Sequence, residues 1–113
     1  MQQFADTNPC HPGNFIREFV LPAACMTAAE LARSLNLSNA AIHYLLSGRN
    51  SITPAIAVRL AALFDVPAKA WLDLQQRYDI ALATIKLAHE LAQIIPYDGP
   101  PLRWVEMLKR QVA

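Results

Sequence analysis

The chain has 113 residues, ten Lys or Arg against nine Asp or Glu for a net charge of +1, with 54% hydrophobic and 17% charged residues. That length carries a core without disulfides or metal. The apolar balance excludes disorder over the whole chain, and no run of ~18–20 apolar residues offers a membrane span. The first ten residues hold Asp6 and no Lys or Arg, so no secretory signal is expected and the chain reads as cytoplasmic. Cys10 and Cys25 are then expected as reduced thiols rather than a disulfide framework.

The pattern is helical throughout, without sustained period-2 alternation. Residues 8–13 read as a loop by their Pro, Asn and Gly content. A first helix fits 14–21, with Phe15, Ile16 and Phe19 on its apolar stripe and Pro22 as its stop. Thr27 opens a second helix, and Glu30 three residues on completes a capping box. Leu31, Ala32 and Leu35 supply its buried face, and Asn36 ends it as a residue that tolerates the left-handed conformation. Ser38 caps a third helix with Ile42, Leu45 and Leu46 inward, stopped by Ser47-Gly48. Thr53-Pro54 opens a fourth, with Ile56, Leu60, Leu63 and Phe64 inward. A fifth starts near Pro67 and carries Trp71, Leu74, Tyr78, Leu82 and Ile85 on one stripe. Without a breaker before Pro96 it could reach residue 95, a length of ~42 Å that suggests a kink or break near 80–86. Residues 97–101 form a linker. A last helix fits 102–111, where Trp104 and Leu108 suit either an intramolecular core, the favoured reading, or anchors in a partner's groove.

Residues 27–47 thus form two short helices joined by a three-residue turn. Ala28, Ala29, Ala32 and Ala41 supply small residues for a close helix crossing. Ile42, Leu45 and Leu46 form an apolar back, while Ser38, Asn39, His43 and Ser47 form a polar front. That is the layout of a helix-turn-helix, although helical hairpins are common and spacing alone also suits a plain bundle. Charge is placed consistently with it: residues 27–64 sum to +2 through Glu30, Arg33, Arg49 and Arg59.

The stretch Thr27-Ala28-Ala29-Glu30-Leu31-Ala32-Arg33-Ser34-Leu35-Asn36-Leu37-Ser38 resembles the helix-turn-helix of the phage-repressor-like, or XRE, family. His11-Pro12-Gly13 with Phe15-Ile16-Arg17-Glu18, and the run from Leu45 through Gly48-Arg49-Asn50 to Thr53-Pro54, resemble the HigA/VapI-type antitoxins. Ala57-Val58-Arg59-Leu60-Ala61 and Trp71-Leu72-Asp73-Leu74-Gln75 with Tyr78-Asp79 continue the likeness, which covers about residues 11–80. The resemblance implies an all-α, phage-repressor-like five-helix bundle at 1–80 and a C-terminal helical extension at 81–113. It implies an antitoxin of a toxin–antitoxin module that represses its own operon and neutralises a small RNA-cleaving toxin. A solitary regulator without a toxin partner is the alternative. A scaffold that has lost DNA binding is a further one, because Asn14, Asn39-Ala40-Ala41 and Asn50 stand where the family often has charged or longer polar side chains.

A recognition helix enters the major groove N-terminus first, which places Ser38, Asn39 and Ala40 nearest base edges. Asn39 can pair bidentately with adenine, and Ala40 can meet a thymine methyl. His43 and Tyr44 lie one turn on, either as contacts or as a solvated histidine and a packed ring. Arg49 and Asn50 follow the helix toward phosphates, with Arg33 and Thr27 as weaker candidates. So few cations per copy imply a dimer on operator DNA, with ~4–6 phosphate contacts and a salt slope of about −4 to −5. The long fifth helix carries apolar residues on more than one face, Trp71, Leu74 and Tyr78 on one stripe and Leu72, Ile80, Leu87 and Leu91 elsewhere. This surplus, with Trp71, Leu72, Leu74 and Tyr78 foremost, is the expected homodimer site, the alternative being that the last helix folds back to cover it. Residues 1–10 and 81–113 are default candidates for the toxin surface. No motif suggests catalysis, a cofactor or a metal; Cys10-His11 lacks the further ligands a metal site needs.

Overall fold

The computed structural model describes residues 10–111. The expected toxin-binding segment 1–10 therefore lies, apart from Cys10, outside the described residues. All regular structure among them is helical.

Helix α1 covers residues 12–24 in three consecutive turns: an α turn Pro12–Phe15, a π turn Ile16–Val20 and an α turn Leu21–Ala24. It differs from expectation at both ends. The supposed loop residue His11 is its N-cap: the imidazole Nδ1 accepts the Gly13 N–H at 2.9 Å, and Pro12 takes the first helical position. Pro22 lies inside the helix rather than stopping it. Proline lacks an N–H and crowds the carbonyl four residues back. The π turn widens the helix just before it, the Leu21 N–H bonding Ile16 O five residues back. The chain leaves through Cys25 in the left-handed region, φ 52°.

The next three helices follow the sequence closely. Helix α2 is Ala28–Leu35, with both bonds of the Thr27/Glu30 capping box formed and Asn36 left-handed at φ 58°. Helix α3 is Asn39–Leu46, capped by the Ser38 hydroxyl accepting from Ala41 N–H. Helix α4 is Pro54–Phe64, capped by Thr53 and ended by Asp65 at φ 57°. The core gathers Ile16, Leu31, Leu35, Ile42, Leu45, Ile52, Ala57, Leu60 and Trp71 from α1 to α5 and the loop after α3. Each buried large aliphatic contributes about 1.5–3 kcal/mol.

Helix α5 is Ala68–Lys86, with Pro67 as its extended cap residue, and helix α6 is Ala88–Ala92. The break falls at Leu87, φ −98° and ψ 11°, one residue past the expected window. No Pro or Gly causes it. The Thr84 hydroxyl donates back to Ile80 O at 2.7 Å, a bond that bends helices. Helix α7 is Arg103–Gln111.

Two expectations about packing fail. Phe19 is exposed; α1 buries Ile16 as expected, with Leu21 in place of Phe19, because the wide turn rotates the stripe beyond it. Trp104 and Leu108 are not in an intramolecular core; they are 58% and 55% exposed on α7.

Candidate nucleic-acid interface

The turn between α2 and α3 is fixed by three devices. Asn36 supplies the left-handed bend, the Leu37 N–H bonds Ala32 O at 2.9 Å, and Arg59 of α4 donates to Leu35 O at 2.7 Å. Arg59 thereby satisfies a free carbonyl at the α2 C-terminus and is committed to the fold rather than to a ligand.

The α3 helix is held from behind with little freedom. Ile42, Leu45 and Leu46 are buried. Gly13 lies so close beneath the Leu45 carbonyl oxygen that any Cβ there would collide with it. Gly48, at φ 83°, leads the chain out over the His11 ring, and glycine is the residue that takes that conformation without strain. The His11 ring meets the Tyr78 ring edge-on at 4.9 Å, which links α1, the end of α3 and α5. Burial pushes the His11 pKa down, and the nearby Asp79 charge opposes that shift.

The loop after α3 is tied from both sides. The N–H groups of Arg49 and Asn50 bond Tyr44 O at 2.9 and 3.2 Å. Further on, the buried Gln75 side chain accepts the Ile52 N–H at 2.7 Å and donates to Asp79 Oδ1 at 3.0 Å. Gln75 is thus a positioning residue for the loop that carries Arg49 and Asn50.

What this frame presents is one open face. Asn39, Ala40, His43 and Tyr44 of α3 line a groove with Ala28 and Ala29 of α2. The two α2 alanines are exposed and line the groove, whereas Ala32 is buried and Ala41 half-buried. His43 also lines an adjoining groove with Arg17, Leu21, Pro22, Cys25, Met26, Thr27, Ala28, Leu46 and Ser47. The Arg49 guanidinium lies 5.7 Å over the Tyr44 ring at the far end of the face, a cation–π distance. Seven expected residues therefore share this region: Thr27, Ser38, Asn39, Ala40, His43, Tyr44 and Arg49. Asn50 follows on the tied loop. Arg33 is exposed near the C-terminal end of α2 and lines neither groove.

Electrostatics favour the α3 end. Its first two N–H groups, on Asn39 and Ala40, are unpaired within the helix by geometry and face a region where anions are stabilised. The α2 N-terminus carries the Glu30 carboxylate, held below its ordinary pKa by the Thr27 N–H and hydroxyl. Its charge opposes an anion there. Ser38 uses its hydroxyl oxygen as a cap, leaving its O–H proton to donate, whereas the Thr27 hydroxyl is already engaged with Glu30.

Arg17 was missed in the sequence. It is exposed, donates to Leu46 O at 3.4 Å, pairs with Glu18 at 3.3 Å and lines the same groove as His43. Its helical spacing carries no hint that α1 packs beside α3. His11 and Gln75 were also missed as supports. The His-Pro-Gly order was the available signal for the first, and a polar residue within the apolar stripe of α5 for the second.

The expected dimer residues lie mostly in the molecule's own body. Trp71 is 5% exposed, with Phe64 beside it, and Leu72 and Leu74 pack against the core. Tyr78 is half-buried on His11. Trp71 is therefore a core residue and not a partner surface, since α4 and α5 close over it.

A helix-turn-helix family model (HTH_3) matches residues 17–71. Virulence-associated protein I of Dichelobacter nodosus is 34% identical over 73 residues, covering 65% of this chain and 68% of that protein. An addiction module antidote protein of the HigA family from Coxiella burnetii has a similar structure. It is 34% identical with a TM-score of 0.75, over 80% of this chain and 99% of the other. The chain belongs to the XRE-like helix-turn-helix family, in its HigA-type branch. Pseudomonas aeruginosa antitoxin HigA, solved with the higBA promoter, is likewise similar: 29% identical, TM-score 0.74, over 79% of this chain and 97% of that one. The helix-turn-helix match runs from the π turn of α1 to the start of α5. It takes in Arg17 and the whole α2–α3 face and stops short of Gln75.

Proposed function

We propose that this HigA-type chain is an operator-binding antitoxin that represses its own transcription as a homodimer and neutralises a small RNA-cleaving toxin. The observation that carries the DNA reading is the exposed α3 front. Asn39 and Ala40 lead and His43 and Tyr44 follow on a helix whose back is locked into the core, and Arg49 stands on the loop at its exit. In this reading α3 enters the major groove N-terminus first. Asn39 reads adenine through N6 and N7, and Ala40 meets a thymine methyl. Arg49, Asn50 and Arg17 hold phosphates, with Ser38 donating from its hydroxyl; Thr27 is a weaker contact because its hydroxyl is shared with Glu30. Arg33 is the weakest of the set, being off the face.

Two heads are needed because one copy brings so few cations to DNA. Residues 1–80 serve as the DNA-binding unit and 81–113 as a helical extension, in a cytoplasmic, non-enzymatic protein. The relative solved with its promoter supports the DNA partner. The toxin partner rests on the antitoxin and antidote relatives.

Co-expression of the tagged chain with the neighbouring open reading frame tests the reading. A small partner that elutes in fixed stoichiometry, with its RNA cleavage silenced, is the expected result. Operator binding with no such partner would instead make the chain a solitary regulator. No operator binding at low salt would overturn the DNA reading.

A further inference from the structure

Among the described residues, two apolar stripes have no cover. In the α5–α6 region, Ile80 of α5, Leu87 at the break, Leu91 of α6 and Ile94 just past its end recur at i, i+7, i+11 and i+14, and all four are at least 43% exposed. In α7, Trp104, Met107 and Leu108 sit at i, i+3 and i+4, each 55% exposed or more. The opposite side of α7 carries Arg103, Glu106, Lys109 and Arg110, so the helix has one apolar and one charged face.

The turn between them is built rather than loose. The Tyr97 hydroxyl donates to Pro100 O at 2.9 Å, and Gly99 lies so close beneath the Tyr97 ring that a Cβ would collide with it. Pro100 and Pro101 fix their own φ. Leu102, just before α7, and Val105 within it are half-buried, and both line the hollow at this turn. The elbow therefore holds α7 with its apolar face open.

We propose that α7 is exchanged between two copies of this chain, its Trp104–Met107–Leu108 face lying on the Leu87–Leu91–Ile94 stripe of the second copy. The proposal rests on the homodimer reading above and specifies how that dimer is made. Seven large apolar side chains, each 43% exposed or more, exceed the few hundred Å² that a monomer ordinarily leaves open. They suit the ~800 Å² per partner of a standard interface. The Trp104–Leu108 face takes up ~6 Å of the α7 axis and fits within the ~10 Å of chain from Leu87 to Ile94. A second copy is the occupant because each copy offers one arm and one acceptor. Reciprocal exchange covers both at once and closes with two-fold symmetry.

Sedimentation equilibrium on full-length chains tests this, with an arm variant (Trp104→Asp, Leu108→Asp) and an acceptor variant (Leu87→Asp, Leu91→Asp). All four positions are exposed, and a thermal melt of each variant checks the fold. Exchange predicts a wild-type dimer, at least 100-fold weaker self-association for each variant alone, and a heterodimer at least tenfold tighter when the two are mixed. If the acceptor variant melts abnormally, the arm variant alone decides. An arm variant that dimerises like wild type leaves the dimer reading standing and ends the exchange. A monomeric wild type at high concentration ends both.

Discussion

Residues 10–80 and 81–111 are both helical, yet they are built on different terms. In the first region every helix has a buried side; Ile16, Leu31, Ile42, Leu45 and Leu60 are almost fully enclosed. In the second, no side chain is buried, and Ile80 at its threshold begins a run of exposed aliphatics that ends at Leu108. A helical stripe in a sequence thus specifies a face that wants cover, and it does not say whether the cover comes from the same chain. The DNA-facing α3 belongs to the first kind, because a reading helix needs a back that cannot move.

The contrast breaks most sharply on truncation of one leucine in each region. Leu45→Ala is expected to cost about 2–5 kcal/mol, while Leu91→Ala, measured at dilutions where the chain is monomeric, stays within about 0.5 kcal/mol. Urea unfolding followed by circular dichroism reads both. Equal losses would mean that the second region is packed as well as the first.

Next in size is Gln75→Ala. It leaves the buried Ile52 N–H without its acceptor, a loss of about 1–3 kcal/mol. Operator affinity should fall as well, since the loop bearing Arg49 loses its anchor. Gln75→Glu keeps an acceptor oxygen for Ile52 but sets a second carboxylate against Asp79 Oδ1 in a buried site, so it should not recover the loss.

Acid sharpens the comparison further. The unfolded His11 imidazole titrates near ~6.5, and the folded one is held lower by burial. The unfolded state thus binds the proton more readily. Stability is full above that value and falls as pH drops through it toward the folded pKa. A protonated Nδ1 also cannot accept the Gly13 N–H. Melts from pH 8 down to 5 should show this fall in wild type and a shallower one in His11→Asn.

The smallest effect is a gain. Cys25 occupies a left-handed conformation at φ 52°, which costs a side-chain-bearing residue roughly 1–2 kcal/mol. Cys25→Gly should therefore raise stability by up to about 1 kcal/mol, read by the same urea titration.

Much of the first region was legible in the residues. Thr27 with Glu30, Ser38, Thr53-Pro54 and the left-handed Asn36 mark boundaries through local hydrogen bonds and backbone sterics, which need no knowledge of the fold. The polar front of α3 was legible for the same reason, being the complement of a clear apolar back. What depended on distant contacts was not. Pro22 inside α1 required a π turn, which has no reliable sequence mark. The roles of Arg17 and Gln75 depend on which helices touch. Trp71 looks the same on a stripe whether α4 or a second copy covers it, and so was misplaced on a dimer surface. Trp104 and Leu108 failed in the opposite sense, placed in a core that the elbow at residues 97–101 keeps them from reaching.

The central claim is that a rigidly backed α3 reads DNA while Arg49 at its exit holds phosphate. The direct measurement is the salt dependence of binding to the DNA upstream of the gene, by fluorescence anisotropy, for wild type, Arg49→Ala and Asn39→Ala. The expected wild-type slope is about −4 to −5, reduced by about 2 in the Arg49→Ala dimer. Asn39→Ala should leave the slope unchanged and lose about 1–3 kcal/mol of preference for operator over scrambled DNA per half-site. Two variants with wild-type slope and wild-type preference would contradict it, and the reading face would then lie elsewhere on the molecule.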